Sequence, residues 1–293
     1  MTNSNNEYQA ALLTKSPLWR RATTRLAAAN TPLHWRRRID ALAIPVLVLI
    51  VWETLGQTGV LRQGILPWPS LVAQAWHTWA FGADAMGLNP YSGTWLETVA
   101  YSFRRVAQGF TLATLIGVPI GIVIGWSNLA ARLIDPTIQS LRPIPITAWL
   151  PFSIALFGIR DFGAIFLIAL GAFYPIVISA THGARDISKN LVRAAIMLGA
   201  SRRQLLFRVV FPNSLPAVFT GMRIGLGIAW TAVIVAEMVA VQSGLGYVLW
   251  DAYYIGRMDI VIANMISIGI IGFLSDRLIV LLERPILRWK RAQ

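Results

Sequence analysis

Uncharged apolar tracts long enough to cross a bilayer alternate along this chain with polar and basic stretches, a pattern that predicts an all-α fold of membrane-spanning helices. The first tract runs from Ile39 to Leu55 with Pro45 inside it. At about 17 residues it is at the short limit for crossing about 30 Å of hydrocarbon. Further spans are expected from Ala107 to Trp126, Pro136 to Ile159, Gly163 to Thr181, Ala217 to Val241 and Ile260 to Leu282. Six spans place both chain ends on one face. The segment 56–96, rich in Gly, Pro and Trp, holds a short interfacial helix over Leu71–Phe81, with Trp76 and Trp79 at headgroup level.

Within the spans, small residues recur at four-residue intervals. Gly117, Gly121 and Gly125 bare one helix face, and Gly221 and Gly225 bare another, so that neighbouring helices can approach closely. The third span carries Arg142-Pro143-Ile144-Pro145 and Pro151. Proline frees backbone carbonyls that must find partners in protein or in a water-lined cavity, so this span is expected to be broken or kinked.

Between the fourth and fifth spans lies a basic amphipathic passage, Arg193 to Pro212, RAAIMLGASRRQLLFRVVFP. Gly199 can end one helix in the left-handed conformation, and Ser201 with Gln204 forms a capping box that opens another. The passage reads as helix, turn, helix. Leu205, Leu206, Val209 and Val210 share one face, leaving Arg202, Arg203 and Arg208 elsewhere. Such an element either rests on anionic headgroups, at about 1 kcal/mol per basic residue, or docks a soluble partner.

Composition narrows the class. Of 293 residues 56% are hydrophobic and 13% charged, with a formal net charge of +13. The basic residues gather in the N-terminal arm (Lys15, Arg20, Arg21, Arg25, Arg36, Arg37, Arg38), in the loop before the fifth span, and in the tail (Arg284, Arg288, Lys290, Arg291). That is the positive-inside distribution rather than a nucleic-acid surface. It divides the chain into a cytoplasmic arm (1–38), a first span with an outer segment (39–96), a transmembrane domain (97–285) whose cytoplasmic loop covers 186–212, and a cytoplasmic tail (286–293). Arg104 and Arg105 fall on the outer side against the rule, and are read as snorkelling residues.

No G-x-x-x-x-G-K-[ST] stretch is present to cradle nucleotide phosphates, so nucleotide hydrolysis belongs to another chain. His34, His77 and His182 are scattered, Asp186 has no serine partner, and cysteine is absent, so no catalytic residue and no metal ligand is assigned. Four residues are candidates for a path through the membrane: Arg142, Arg223, Trp230 and Glu237. An ionisable group within a span is costly and seldom idle. Arg223, near the cytoplasmic end, either snorkels or lines the path; Glu237, near the outer end, either bonds exposed backbone or gates it.

Ala194-Ala195, Gly199, Val209, Phe211 and Pro212 fit the spacing E-A-A-x3-G-x9-I-x-L-P, which resembles the permease subunits of bacterial ABC importers, with Arg193 where the motif has Glu. Leu66-Pro67-Trp68-Pro69-Ser70, Leu141 to Pro145, Trp149-Leu150-Pro151, Ala236-Glu237, Gly244-Leu245-Gly246-Tyr247 and Trp250 to Tyr253 are similar to its nitrate, sulfonate, taurine and bicarbonate group. The resemblance implies a MetI-like permease fold in the inner membrane. It also implies a homodimer with a second permease copy, two cytoplasmic ATPase subunits that carry ATP and Mg, and an extracytoplasmic solute-binding protein. Arg193, Ala194, Ala195, Gly199, Val209 and Pro212 would then contact the ATPase, and this chain would bind no cofactor itself. The rival readings are a secondary transporter, which should show an inverted repeat that is not found here, and a membrane scaffold with no central path.

Overall fold

The computed structural model describes residues 33–60, 64–82 and 90–288, with side chains from residue 43 onward. Lys15, Arg20, Arg21, Arg25, Arg62, Lys290 and Arg291 lie outside the described residues, as do the side chains of His34 and Arg36 to Arg38.

The chain divides after Leu61 into two compact units. In the first, helix α1 spans Leu33–Gln57, so helix begins six residues before the predicted Ile39 and takes in the end of the expected polar arm. Leu33 to Arg38 continue the helical backbone beyond the greasy core of the span; hydropathy marks where a helix is apolar rather than where it starts.

The second unit contains α2 (Pro69–Phe81), α3 (Trp95–Trp126), α4 (Asn128–Leu133), α5 (Asp135–Leu141), a 3-10 turn (Ile146–Trp149), α6 (Leu150–Phe157) and α7 (Asp161–Arg185). After these come α8 (Lys189–Met197), α9 (Arg202–Leu205), a π-turn (Leu206–Val210), α10 (Phe211–Val239), α11 (Leu245–Tyr254) and α12 (Met258–Ile286). Among the described residues four helical runs are long and apolar enough to cross a membrane: Trp95–Trp126, Asp161–Arg185, Arg202–Val239 and Met258–Ile286. The third predicted span is broken: Asn128–Leu141 and Ile146–Phe157 meet at 91°, and count as a fifth crossing if the pair is one span. The first expected span is α1, whose apolar stretch Ala43–Gln57 is shorter than the others.

Two boundaries differ from the sequence reading for physical reasons. Helix α3 starts at Trp95 rather than Ala107, because its first turns are polar on a side that faces protein and not lipid. The fifth crossing starts at Arg202 rather than Ala217. Helix passes through Pro212 and Pro216 because a π-turn, with Phe211 N–H bonded to the Leu206 carbonyl, precedes the first proline.

The core lies where α3, α7 and α10 pack side by side around Ile168, Ile176, Ala229, Trp230 and Val233. Glycine sets the approach distance. A Cβ at Gly121 would fall 2.5 Å from the Val177 carbonyl oxygen and 2.6 Å from Ala180 Cβ, and one at Gly125 would fall 2.6 Å from Ala184 Cβ. Gly117 faces Ile176, Gly221 faces Ser179 and Gly225 faces the Ala172 carbonyl, so one side of α7 receives α3 and another receives α10. Gly121→Val should therefore destabilise the fold by about 3 kcal/mol or more through overpacking against backbone that cannot yield. Gly227→Val, where a Cβ meets nothing within 4 Å, is the control. Denaturation of the two variants in mixed detergent separates them.

The outward sides carry exposed Leu112, Leu115, Ile266, Phe273, Leu274 and Leu278, a surface suited to lipid. Trp76 and Trp79 of the expected interfacial helix pack against protein. Trp79 is fully buried and its indole donates to Thr94 Oγ1, while Trp76 and Trp95 both donate to Ser267 Oγ of α12. Buried indole N–H groups need acceptors, and here the protein supplies them.

Candidate functional site

The elbow between α7 and α10 follows from its local sequence. Helix α8 ends at Leu198, and Gly199 takes φ +80°, the left-handed conformation that an L side chain resists. Ala200 N–H then bonds to the Ala195 carbonyl and Gly199 N–H to the Ile196 carbonyl, at 3.0 and 2.9 Å, which closes the helix end as a Schellman motif. Two residues on, the Ser201 N–H donates to Gln204 Oε1 at 2.8 Å, and the Gln204 N–H donates to Ser201 Oγ at 3.3 Å. This reciprocal cap opens α9.

From Arg202 the helix runs without interruption to Val239. Its inner side is anchored: Leu205 and Val210 are buried, and Val209 and Pro212 are half-buried. The tip is not. Met197 is 86% exposed and Leu198 88%, with Ile196 and Phe207 also exposed. Arg193, Ala194, Arg202, Arg203 and Arg208 are exposed around them, and none of these arginines is in an ion pair among the described residues. An apolar tip ringed by unpaired cations stands at the end of a rigid rod. The sequence reading found the turn and the cap but missed Met197 and Leu198, which sit just before the glycine, where the helix stops burying any face.

The four path candidates separate. Glu237 is fully buried within this chain, and Trp230 is 5% exposed in the α3–α7–α10 core, so neither lines an open path within it. Arg223 is half-exposed and makes a two-point bond to Asp276 of α12, at 2.8 and 3.0 Å, which ties α10 to α12. Arg142 alone remains free. It sits in the break between α5 and the 3-10 turn, beside a cavity of about 390 Å³, and its side chain has no hydrogen bond or ion pair among the described residues.

Glu237 instead belongs to a clasp near the C-terminal end of α10. Arg105, 1% exposed, places Nη1 2.7 Å from Glu237 Oε1. It also donates to Asp161 Oδ1 at 2.8 Å and to the Ser243 carbonyl and hydroxyl at 2.9 and 2.6 Å. Ser102 Oγ and the Gly246 N–H donate to Glu237 Oε2 at 2.7 and 2.9 Å, and Leu245 N–H donates to Ser102 Oγ at 2.8 Å. Arg104 meets the other oxygen of Asp161. Gly244 has φ +104°, and a Cβ there would collide with the Glu237 carboxylate, which explains the glycines of Gly244-Leu245-Gly246. Arg105 is thus buried rather than snorkelling, while Arg104 stays exposed beside Asp161. Arg105 is the counter-ion of Glu237, and the cue was a charge in a helix whose partner lies over 130 residues away.

Comparison with known proteins gives a consistent picture. The profile of the binding-protein-dependent transport system inner membrane component family matches residues 117–288. The chain is 36% identical to the bicarbonate transport system permease protein CmpB of Synechococcus elongatus, over 87% of this chain and 92% of that one. It is 36% identical to the nitrate import permease protein NrtB of a Synechocystis strain, covering 83% and 86%, and 34% identical to the taurine transport system permease protein TauC of Escherichia coli, covering 89% and 96%. A solved inward-facing MetNI methionine ABC transporter is similar in fold, with a TM-score of 0.60 at 19% identity, covering 68% of this chain and 98% of that one. On the family match and these relatives, the chain belongs to the binding-protein-dependent transport system inner membrane components, the membrane-spanning permease subunits of ABC importers.

Proposed function

We propose that this chain forms, with a second copy of itself, the pore of an importer for a small oxyanion or organic sulfonate, of the nitrate, sulfonate, taurine or bicarbonate type named for its relatives. Two cytoplasmic ATPase subunits carry ATP and Mg, an extracytoplasmic binding protein delivers the solute, and this chain holds no cofactor, catalyses no reaction and binds no nucleic acid. Both termini face the cytoplasm of a multi-pass inner-membrane protein surrounded by lipid. The observation that carries the reading is the elbow: an exposed apolar tip at Met197 and Leu198, joined to a helical run that continues to Val239.

Closing of two ATPases around ATP would draw two such elbows together. A continuous helix transmits that displacement to the pore, since packed helices move as bodies rather than deform. Gly199 keeps the turn tight, and Ala194 and Ala195 keep the docking side low. Co-expression with a partner ATPase and binding protein, followed by reconstitution into vesicles, tests this. The expected result is hydrolysis stimulated by liganded binding protein, with uptake that stops without ATP. Uptake sustained by an ion gradient alone would contradict it.

A further inference from the structure

We infer that Arg142 is the centre of an anion-binding waystation inside the membrane domain, so that the pore itself, and not only the delivering protein, selects negative charge. The inference rests on reading the chain as the pore subunit of an anion importer. Its cavity, about 390 Å³, is within the usual range for small-molecule sites and lies behind the 91° break between Asn128–Leu141 and Ile146–Phe157. The walls come from Gly171, Tyr174 and Ser179 of α7 and from Ile224 and Ile228 of α10, residues near the middle of those two crossings.

Three features converge on an anion. Among the described residues no carboxylate lines the cavity, whereas Arg105, Arg223 and Arg257 each face one. The Arg142 guanidinium is therefore an exposed, uncompensated cation at the wall of a cavity built between two apolar crossings, a position tolerated where that cavity is open to water. The hydroxyls of Tyr174 and Ser179 have no hydrogen-bond partner among the described residues, so two neutral donors accompany the charge. The rest of the lining is apolar, which strengthens the field of the cation. The occupant is a dissolved anion small enough to turn within the cavity, held by a planar fork of donors suited to a carboxylate, nitrate or sulfonate.

The absence of cysteine makes a direct test possible. In the full chain, in membrane vesicles, Ser179→Cys or, separately, Ile228→Cys is labelled with an anionic and with a cationic methanethiosulfonate, each normalised to its rate with a free thiol. The expected ratio favours the anionic reagent about tenfold, and Arg142→Gln should abolish the preference. Millimolar nitrate should slow labelling only when Arg142 is present. A ratio unchanged by Arg142→Gln, nitrate protection that survives it, or cysteines unreactive to both reagents at both positions would overturn the inference. Labelling needs neither ATPase nor binding protein. An anion-selective cavity in a chain that engages no ATPase would uphold this site while refuting the importer reading, and the reverse pattern would do the opposite.

Discussion

Arg105→Ala costs the folded domain about 3–5 kcal/mol, because it leaves the fully buried Glu237 carboxylate with only the Ser102 hydroxyl and the Gly246 N–H. Glu237→Ala costs less, about 2–3 kcal/mol, since Arg105 keeps Asp161 and Ser243 as partners. Removing both charges with Arg105→Met and Glu237→Leu should cost much less than the sum of the single changes, since an apolar pair of similar volume needs no compensation. A double-mutant cycle closed with the single variants Arg105→Met and Glu237→Leu, in mixed-detergent denaturation, reads the coupling. Additive losses would mean that the two side chains do not compensate one another. The clasp joins the beginnings of α3 and α7, the end of α10 and the start of α11, so the single variants should also loosen Gly244-Leu245-Gly246.

Ala195→Asp and Gly199→Asp should abolish transport while leaving the chain inserted and folded. At Gly199 an added Cβ meets nothing within 4 Å, so the substitution adds no clash and costs only about 1–2 kcal/mol of left-handed strain, less for Asp than for most residues. Loss of uptake would then report lost docking. A desolvated carboxylate at a docking centre costs about 2 kcal/mol or more, equivalent to about a 30-fold weaker association with the ATPase. Uptake assays paired with co-purification of the ATPase check both halves, and unimpaired ATP-dependent uptake in these variants would count against the lever. Arg193 reverses the charge usual in the motif, so the ATPase should present a carboxylate to it. Arg193→Glu should be inactive alone and recover when that carboxylate is replaced by lysine.

The hydrophobic pattern along the chain made much of the fold legible, because each crossing is predominantly apolar and punctuated by glycine or proline. The Gly199 turn and the Ser201–Gln204 cap were legible for a different reason: both are local, closed by hydrogen bonds over three to six residues. What sequence reasoning missed was non-local. Arg105 looked misplaced until Glu237, Asp161 and Ser243 were brought beside it, because a linear reading does not say which side of a helix is covered or by what. Helix through Pro212 was missed because proline is read as a stop, whereas a preceding π-turn accommodates it. Met197 and Leu198 were overlooked because apolar residues in a membrane chain are assumed to be buried.

A single cysteine at Leu198, in a chain that has none of its own, tests the lever most directly. Its labelling by a membrane-impermeant maleimide should be fast on inside-out vesicles that hold this chain alone and slow at least tenfold once the partner ATPase is bound, consistent with burial of a docking centre. Equal labelling with and without the ATPase, or a cysteine already shielded in its absence, would contradict the account.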